Sequence, residues 1–216
     1  MKKHILCFGD SNTHGYRAED GGRFDENERW TCLLQKELGE EYSVIEEGLS
    51  GRTTVFDDPF CENLSGLEVI YSTLMTHEPI DLLVFMLGTN DTKEYFSANP
   101  AVIGMGMERL ARKAMETLCW RDGKPNILII APPHIRPDVF HHPFGPTTGK
   151  DCVEKSAGLA EVYKMKAVLL NCAFMDAEGI AEISKFDGMH LTAKGHRQLA
   201  AALAERIPVL VQEVKI

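Results

Sequence analysis

Five short apolar runs, Ile5–Phe8, Val44–Ile45, Leu82–Leu87, Ile127–Ile130 and Ala173–Met175, are strung along the chain with more than a dozen residues between each and the next. Runs this short suit buried strands. The spacing constrains the fold most. Antiparallel neighbours need only a hairpin, whereas parallel neighbours need a crossover of a dozen residues or more, usually a helix. Helical periodicity fills the intervals. Trp30, Leu33, Leu34 and Leu38 form one apolar stripe, closed by Gly39; Leu67, Ile70, Tyr71, Leu74 and Met75 form a second. A third starts at Asn99-Pro100, an N-cap followed by a proline at the first helical position, and continues through Ile103, Met107, Leu110, Ala111, Ala114 and Leu118. Two more helices are expected near 151–170 and 193–207.

Alternating strands and helices predict a three-layer α/β/α, flavodoxin-like, doubly wound sheet of five parallel strands. The 216 residues are 44% hydrophobic and 25% charged, enough to bury one sizeable core, so 1–216 is expected to form a single domain. A net charge of -9 repels phosphate backbones and anionic lipid, which argues against nucleic acid and membrane surfaces as partners. Asp10 ends the first apolar run well short of a signal peptide or a membrane span. Six cysteines form no CxxC pair, and reduced thiols in a cytoplasmic protein are the expectation.

In a doubly wound sheet, ligands bind beyond the carboxyl ends of the strands. The residues there are Gly9-Asp10-Ser11-Asn12, Gly48 to Thr54, Gly88-Thr89-Asn90-Asp91 and Pro132-Pro133-His134, with Phe186 to His190 following the fifth strand. A serine hydroxyl is a weak nucleophile and needs a base within reach, itself held by a third group. Ser11 and the pair Asp187 and His190, spaced so that one loop could present the carboxylate to the imidazole, supply those types. Gly51 and the Ser11 backbone could offer N–H groups, and Asn90 a side-chain amide, to a carbonyl oxygen gaining negative charge. Each motif alone reads more readily as a turn or a cap than as a site. Their falling in chain order at the strand ends of one sheet favours a shared site.

Gly9-Asp10-Ser11-Asn12, Gly51 within GLSGRTT, Gly88-Thr89-Asn90-Asp91 and Asp187-Gly188-Met189-His190 resemble, in order, the four blocks of the SGNH hydrolase superfamily, also called GDSL esterases. The stretches EEGLSGRTT (46–54) and MLGTNDTK (86–93) resemble its bacterial arylesterase and acyltransferase subgroup more closely, and the similarity spans nearly the whole chain. The resemblance implies Ser11 as nucleophile, His190 as general base and acid, Asp187 as its partner, and an oxyanion hole of Ser11 N–H, Gly51 N–H and the Asn90 side chain. It implies a cofactor-free serine esterase acting on small, short-acyl esters, with acyl transfer to alcohols as a further activity and a large homo-oligomer as the assembly. Asn12 stands where the family name has leucine, and His14 and Tyr16 where close relatives carry tryptophan. Asn12, His14 and Tyr16 are therefore expected to line the acyl or alcohol pocket, and Asp10, Asn12 and His14 are the expected substrate-binding positions.

Alternatives with the same catalytic residues are a carbohydrate acetylesterase or a thioesterase; a non-catalytic protein retaining the fold is another. The proline-rich stretch 132–150 reads as a lid, an interface element or a surface loop. Its histidines, His134, His141 and His142, lack metal-ligand spacing, so no metal is expected. Asp57-Asp58 and Glu19-Asp20 read as solvated loop charges, and Glu46-Glu47 as strand residues facing opposite ways.

Overall fold

The computed structural model describes residues 1–212. Its strands are β1 (Lys3–Gly9), β2 (Tyr42–Gly48), β3 (Leu82–Met86), β4 (Ile127–Ala131) and β5 (Ala173–Asp176), all parallel, in the order β2-β1-β3-β4-β5. The helices are α1 (Ser11–His14), α2 (Trp30–Leu38), α3 (Gly66–Thr76), α4 (Pro100–Met115), α5 (Gly145–Thr148), α6 (Cys152–Ala157), α7 (Leu159–Leu170) and α8 (Ala193–Gln212). This is the doubly wound arrangement, with its switch point between β1 and β3.

Strand periodicity sorts the core into two faces. Leu6, Phe8, Leu83, Phe85, Ile127 and Ile129 point to one side, where Ile70 and Leu74 of α3, Ile103, Met107 and Leu110 of α4, and Tyr163 of α7 meet them. Ile5, Cys7, Leu82, Val84, Leu128 and Ile130 point to the other, against Trp30 and Leu34 of α2 and Leu199, Leu203 and Ile207 of α8. Strands buried on both faces are why the runs read as continuously apolar rather than alternating.

Several boundaries differ from the sequence reading. The helix expected at 151–170 is two, α6 and α7, meeting at Gly158. The terminal helix runs past 207, through Pro208, to Gln212. α4 begins as expected, with Asn99 Oδ1 accepting from Val102 N at 3.0 Å, but ends at Met115. Leu118 therefore leaves the apolar stripe and is 91% exposed. Tyr71 also turns outward from α3.

Register fixes where the functional loops emerge. Gly9 pairs with both Gly48 of β2 and Met86 of β3, so the segments beginning at Asp10, Leu49 and Leu87 leave the sheet side by side.

Candidate active site

Asp10 builds the turn that presents Ser11. Its Oδ1 accepts from Asn12 N at 2.9 Å and its carbonyl from His14 N at 2.8 Å, which starts α1; Gly15, in the left-handed region, ends it one turn later. Ser11 Oγ lies 2.9 Å from His190 Nε2, and His190 Nδ1 lies 2.5 Å from Asp187 Oδ2. All three side chains are buried. Asp187 Oδ1 accepts from Met189 N at 3.0 Å and His190 N at 3.1 Å, so one carboxylate shapes the loop and orients the ring. Burial alone would raise the Asp187 carboxyl, but the His190 ring and those two N–H groups outweigh it and hold it below the usual carboxylate value. The ionised carboxylate keeps the ring proton on Nδ1 and leaves the Nε2 lone pair facing Ser11, the arrangement a general base needs.

Gly188 makes this loop possible. Its φ is +66°, and a Cβ there would stand 2.7 Å from Arg136 O and 2.8 Å from Val139 N. The same approach lets Arg136 N donate to Gly188 O at 2.7 Å.

Gly51 and Asn90 line the same cavity as Ser11 and His190, a cleft of about 370 Å³. Gly51 has φ +90°, a conformation that glycine reaches without strain and that turns the 49–52 segment beside Leu64. Asn90 Nδ2 donates to Arg52 O at 3.2 Å. A carbonyl acceptor identifies that atom as nitrogen and leaves the second amide hydrogen for another acceptor.

The structure separates the expected substrate-binding residues from the cavity. Asp10, Asn12 and His14 are not among the residues that line it. Successive residues of α1 point about 100° apart, so the turn that aims Ser11 into the cleft aims its neighbours elsewhere. Asn12 instead ties down the loop that carries His190: its Oδ1 accepts from Leu191 N at 2.9 Å and its Nδ2 donates to Met189 O at 3.3 Å. Asp10 is buried, and burial pushes its carboxyl up to about 6 against the Asn12 N–H and the charges of His190 and Arg52.

The walls combine motif residues, Ser50, Thr89, Lys93 and Met189, and the singled-out Tyr16, with residues of unmarked segments. Tyr16 and Phe144 flank the imidazole, with ring centroids 4.4 and 6.0 Å from that of His190. Ser50, Cys61, Leu64, Thr89 and Lys93 line the cleft as well, and Met189, Thr147 and Thr148 complete it. The stretch 132–150 thus supplies part of the wall, and its Ile135 and Val139 pack with Cys152 and Met189 in a small core of their own. Asp58 corrects the reading of 57–58 as solvated charges: its side chain is 2% exposed, 3.0 Å from Lys93 Nζ and 2.7 Å from Tyr95 Oη. Glu46 and Glu47 do face opposite ways, Glu46 to Arg23 and Arg29, Glu47 to His77. Among the described residues, no three His, Cys, Asp or Glu side chains converge to hold a metal ion, and no helix is long and apolar enough to cross a membrane.

A family model described as GDSL-like lipase/acylhydrolase matches residues 7–198. Among solved structures, the native aryl esterase of M. smegmatis is similar at 40% identity and TM-score 0.89, covering 96% of this chain and 99% of that one. A carbohydrate acetylesterase from Sinorhizobium meliloti is similar at 35% identity and TM-score 0.87, covering 97% and 100%. A lipase/acylhydrolase from Enterococcus faecalis, at 20% identity and TM-score 0.69 with 95% of each chain covered, shares the fold. No curated protein matches the sequence.

Proposed function

The chain belongs to the GDSL-like lipase/acylhydrolase family and is a serine esterase, a carboxylic ester hydrolase; from that premise we propose that Ser11, His190 and Asp187 carry the reaction. The observation that carries this reading is the buried relay from Ser11 Oγ through the His190 ring to Asp187, with links of 2.9 and 2.5 Å, opening into the cleft. His190 Nε2 takes the Ser11 proton as Oγ attacks the ester carbonyl. The oxygen, now negatively charged, is met by Ser11 N–H, Gly51 N–H and Asn90 Nδ2, donors fixed before the reaction begins. As the tetrahedral intermediate collapses, His190 returns the proton to the leaving alcohol. Water then repeats the cycle and frees the acid.

Small, short-acyl esters suit a cleft of about 370 Å³. The leaving oxygen must lie next to His190, hence against Tyr16 and Phe144, two flat apolar faces. Likeness to an aryl esterase and to a carbohydrate acetylesterase supports aryl and sugar acetates alike, because both rings can stack there. A hydrolysis panel that pairs aryl acetates with acetylated oligosaccharides ranks them. Acyl transfer to an alcohol would follow where the apolar wall lets that alcohol outcompete water at the acyl-enzyme. All six cysteines are free, which supports a reducing, cytoplasmic setting. Exposed apolar side chains on the paired α4 and α7, Val102, Met105, Met165 and Val168, support self-association, which native mass measurement tests.

A fluorophosphonate should add one covalent adduct to the native protein, mapped to Ser11. The Ser11→Ala variant should neither label nor turn over. An unmodified native protein alongside a labelled control esterase would overturn the assignment.

A further inference from the structure

The two loops that carry the proposed oxyanion donors are bolted together by a buried carboxylate outside the catalytic relay. Asp91 follows Asn90, and Thr54 lies three positions after Gly51. Thr54 N donates to Asp91 Oδ1 at 3.0 Å and Oδ2 at 3.1 Å, and the Thr54 hydroxyl donates to Oδ1 as well. Both residues are completely buried. A carboxylate withdrawn from water is costly, and burial pushes Asp91 up to about 6 even against the hydrogen bonds from the Thr54 side chain and backbone. Asn90 Nδ2 adds a second tie between the same loops through Arg52 O. The Arg52 side chain in turn donates to Gly9 O at 2.9 Å, at the strand end that leads into Ser11.

We propose that Asp91 and Thr54 are positioning residues that hold the Gly51 and Asn90 donors in register with Ser11. Oxyanion donors act only when set about 2.7–3.1 Å from where the charge develops. Those on separate loops have no covalent means of keeping that register, and a displacement of about 1 Å can cost on the order of a hundredfold. The carboxylate touches neither substrate nor the reacting atoms; it acts by fixing both loops at once. The proposal rests on the reading of Gly51 and Asn90 as oxyanion donors, and its test separates the two.

The experiment measures kcat and KM on an aryl acetate for Thr54→Val, Thr54→Ser, Asn90→Ala and the double variant Thr54→Val/Asn90→Ala. Thr54→Val removes one donor to Asp91 at nearly constant volume. It should lower kcat about tenfold with KM within about twofold, while Thr54→Ser, which keeps the hydroxyl, should stay within about twofold of the native kcat. Asn90→Ala should lower kcat by about 10²–10³. The double variant should lose less than the product of the single losses, because the clamp acts partly through the deleted amide. Thr54→Ala replaces Thr54→Val if the valine does not fold. An unaltered Asn90→Ala would overturn the oxyanion reading itself. With Asn90→Ala impaired, a Thr54→Val or Thr54→Ala enzyme with native kcat, a loss confined to KM, or fully multiplicative losses would overturn the clamp and leave the hole intact.

Discussion

Replacing Asp187 with asparagine changes one atom in the relay, and the surrounding hydrogen bonds dictate how the new side chain must sit. Asp187 Oδ1 accepts from two backbone donors, Met189 N at 3.0 Å and His190 N at 3.1 Å. The amide carbonyl has to take that place, because an NH₂ there would face two N–H groups. The amide nitrogen is then directed at His190 Nδ1, where the carboxylate stood 2.5 Å away. A donor facing Nδ1 requires a lone pair on it, so the ring proton moves to Nε2 and points at Ser11 Oγ. The imidazole becomes a donor where the reaction needs an acceptor. Loss of the correct tautomer with intact geometry costs about 10⁴ in kcat, close to 5.5 kcal/mol of activation free energy. Steady-state hydrolysis of an aryl acetate should show that fall with KM within about twofold, and thermal melting should show the fold retained. A loss under tenfold in a folded variant would refute the tautomer argument.

Two further outcomes follow from buried groups beside the relay. His196 is completely buried, its Nδ1 accepting from Trp30 N at 3.2 Å and its ring 5.0 Å from Phe24; burial first, then the charges of Arg29 and His190, lower its pKa to about 3. Its folded value lies below the unfolded value of about 6.5, so the unfolded chain binds the extra proton and stability is lost as pH falls from about 6.5 toward about 3, by roughly 2–3 kcal/mol down to pH 4.5. Asp10 and Asp91, raised to about 6, act oppositely and favour the folded state as pH falls through that value, but they are common to native protein and variant. Urea titrations should therefore show the stability gap between native protein and His196→Asn shrinking by roughly 2–3 kcal/mol from pH 7 to pH 4.5; a constant gap refutes the assignment. Asn12→Ala strips partners from buried Leu191 N and Met189 O and should destabilise by about 2–3 kcal/mol in the same assay. A change under about 0.5 kcal/mol would show that Asn12 does not anchor the loop.

What the chain revealed before its structure divides along physical lines. The strands were legible because Ile5–Phe8 and Ile127–Ile130 are buried on both faces, and crossover length then forced parallel pairing. Ser11, Asp187, His190, Gly51 and Asn90 stood out because ordinary turn motifs fell in order at the strand ends of one sheet; Ser11, Gly51, Asn90 and His190 line one cleft, and Asp187 lies behind the His190 ring. Side-chain direction was not legible. Asp10 and Asn12 share a motif with Ser11 and His14 follows it, yet the cap and the single helical turn direct all three away from the cleft. Conversely, Cys61, Leu64, Phe144 and Thr148 belong to no motif, and only tertiary folding brings them to the cleft. Leu118 fitted a 3.6-residue period but fell beyond the helix end, which periodicity alone does not mark. Asp58 looked like loop charge because its partners, Lys93 and Tyr95, lie on another segment.

The exposed thiol of Cys61 on the cleft wall bears on how this enzyme would be classified at the bench. Alkylation by a maleimide or iodoacetamide would plug the entrance and extinguish turnover, the behaviour by which cysteine hydrolases are ordinarily recognised. Inactivation by such reagents would thus report congestion at the doorway, and Cys61→Ser, resistant to them yet fully active, would expose the mimicry.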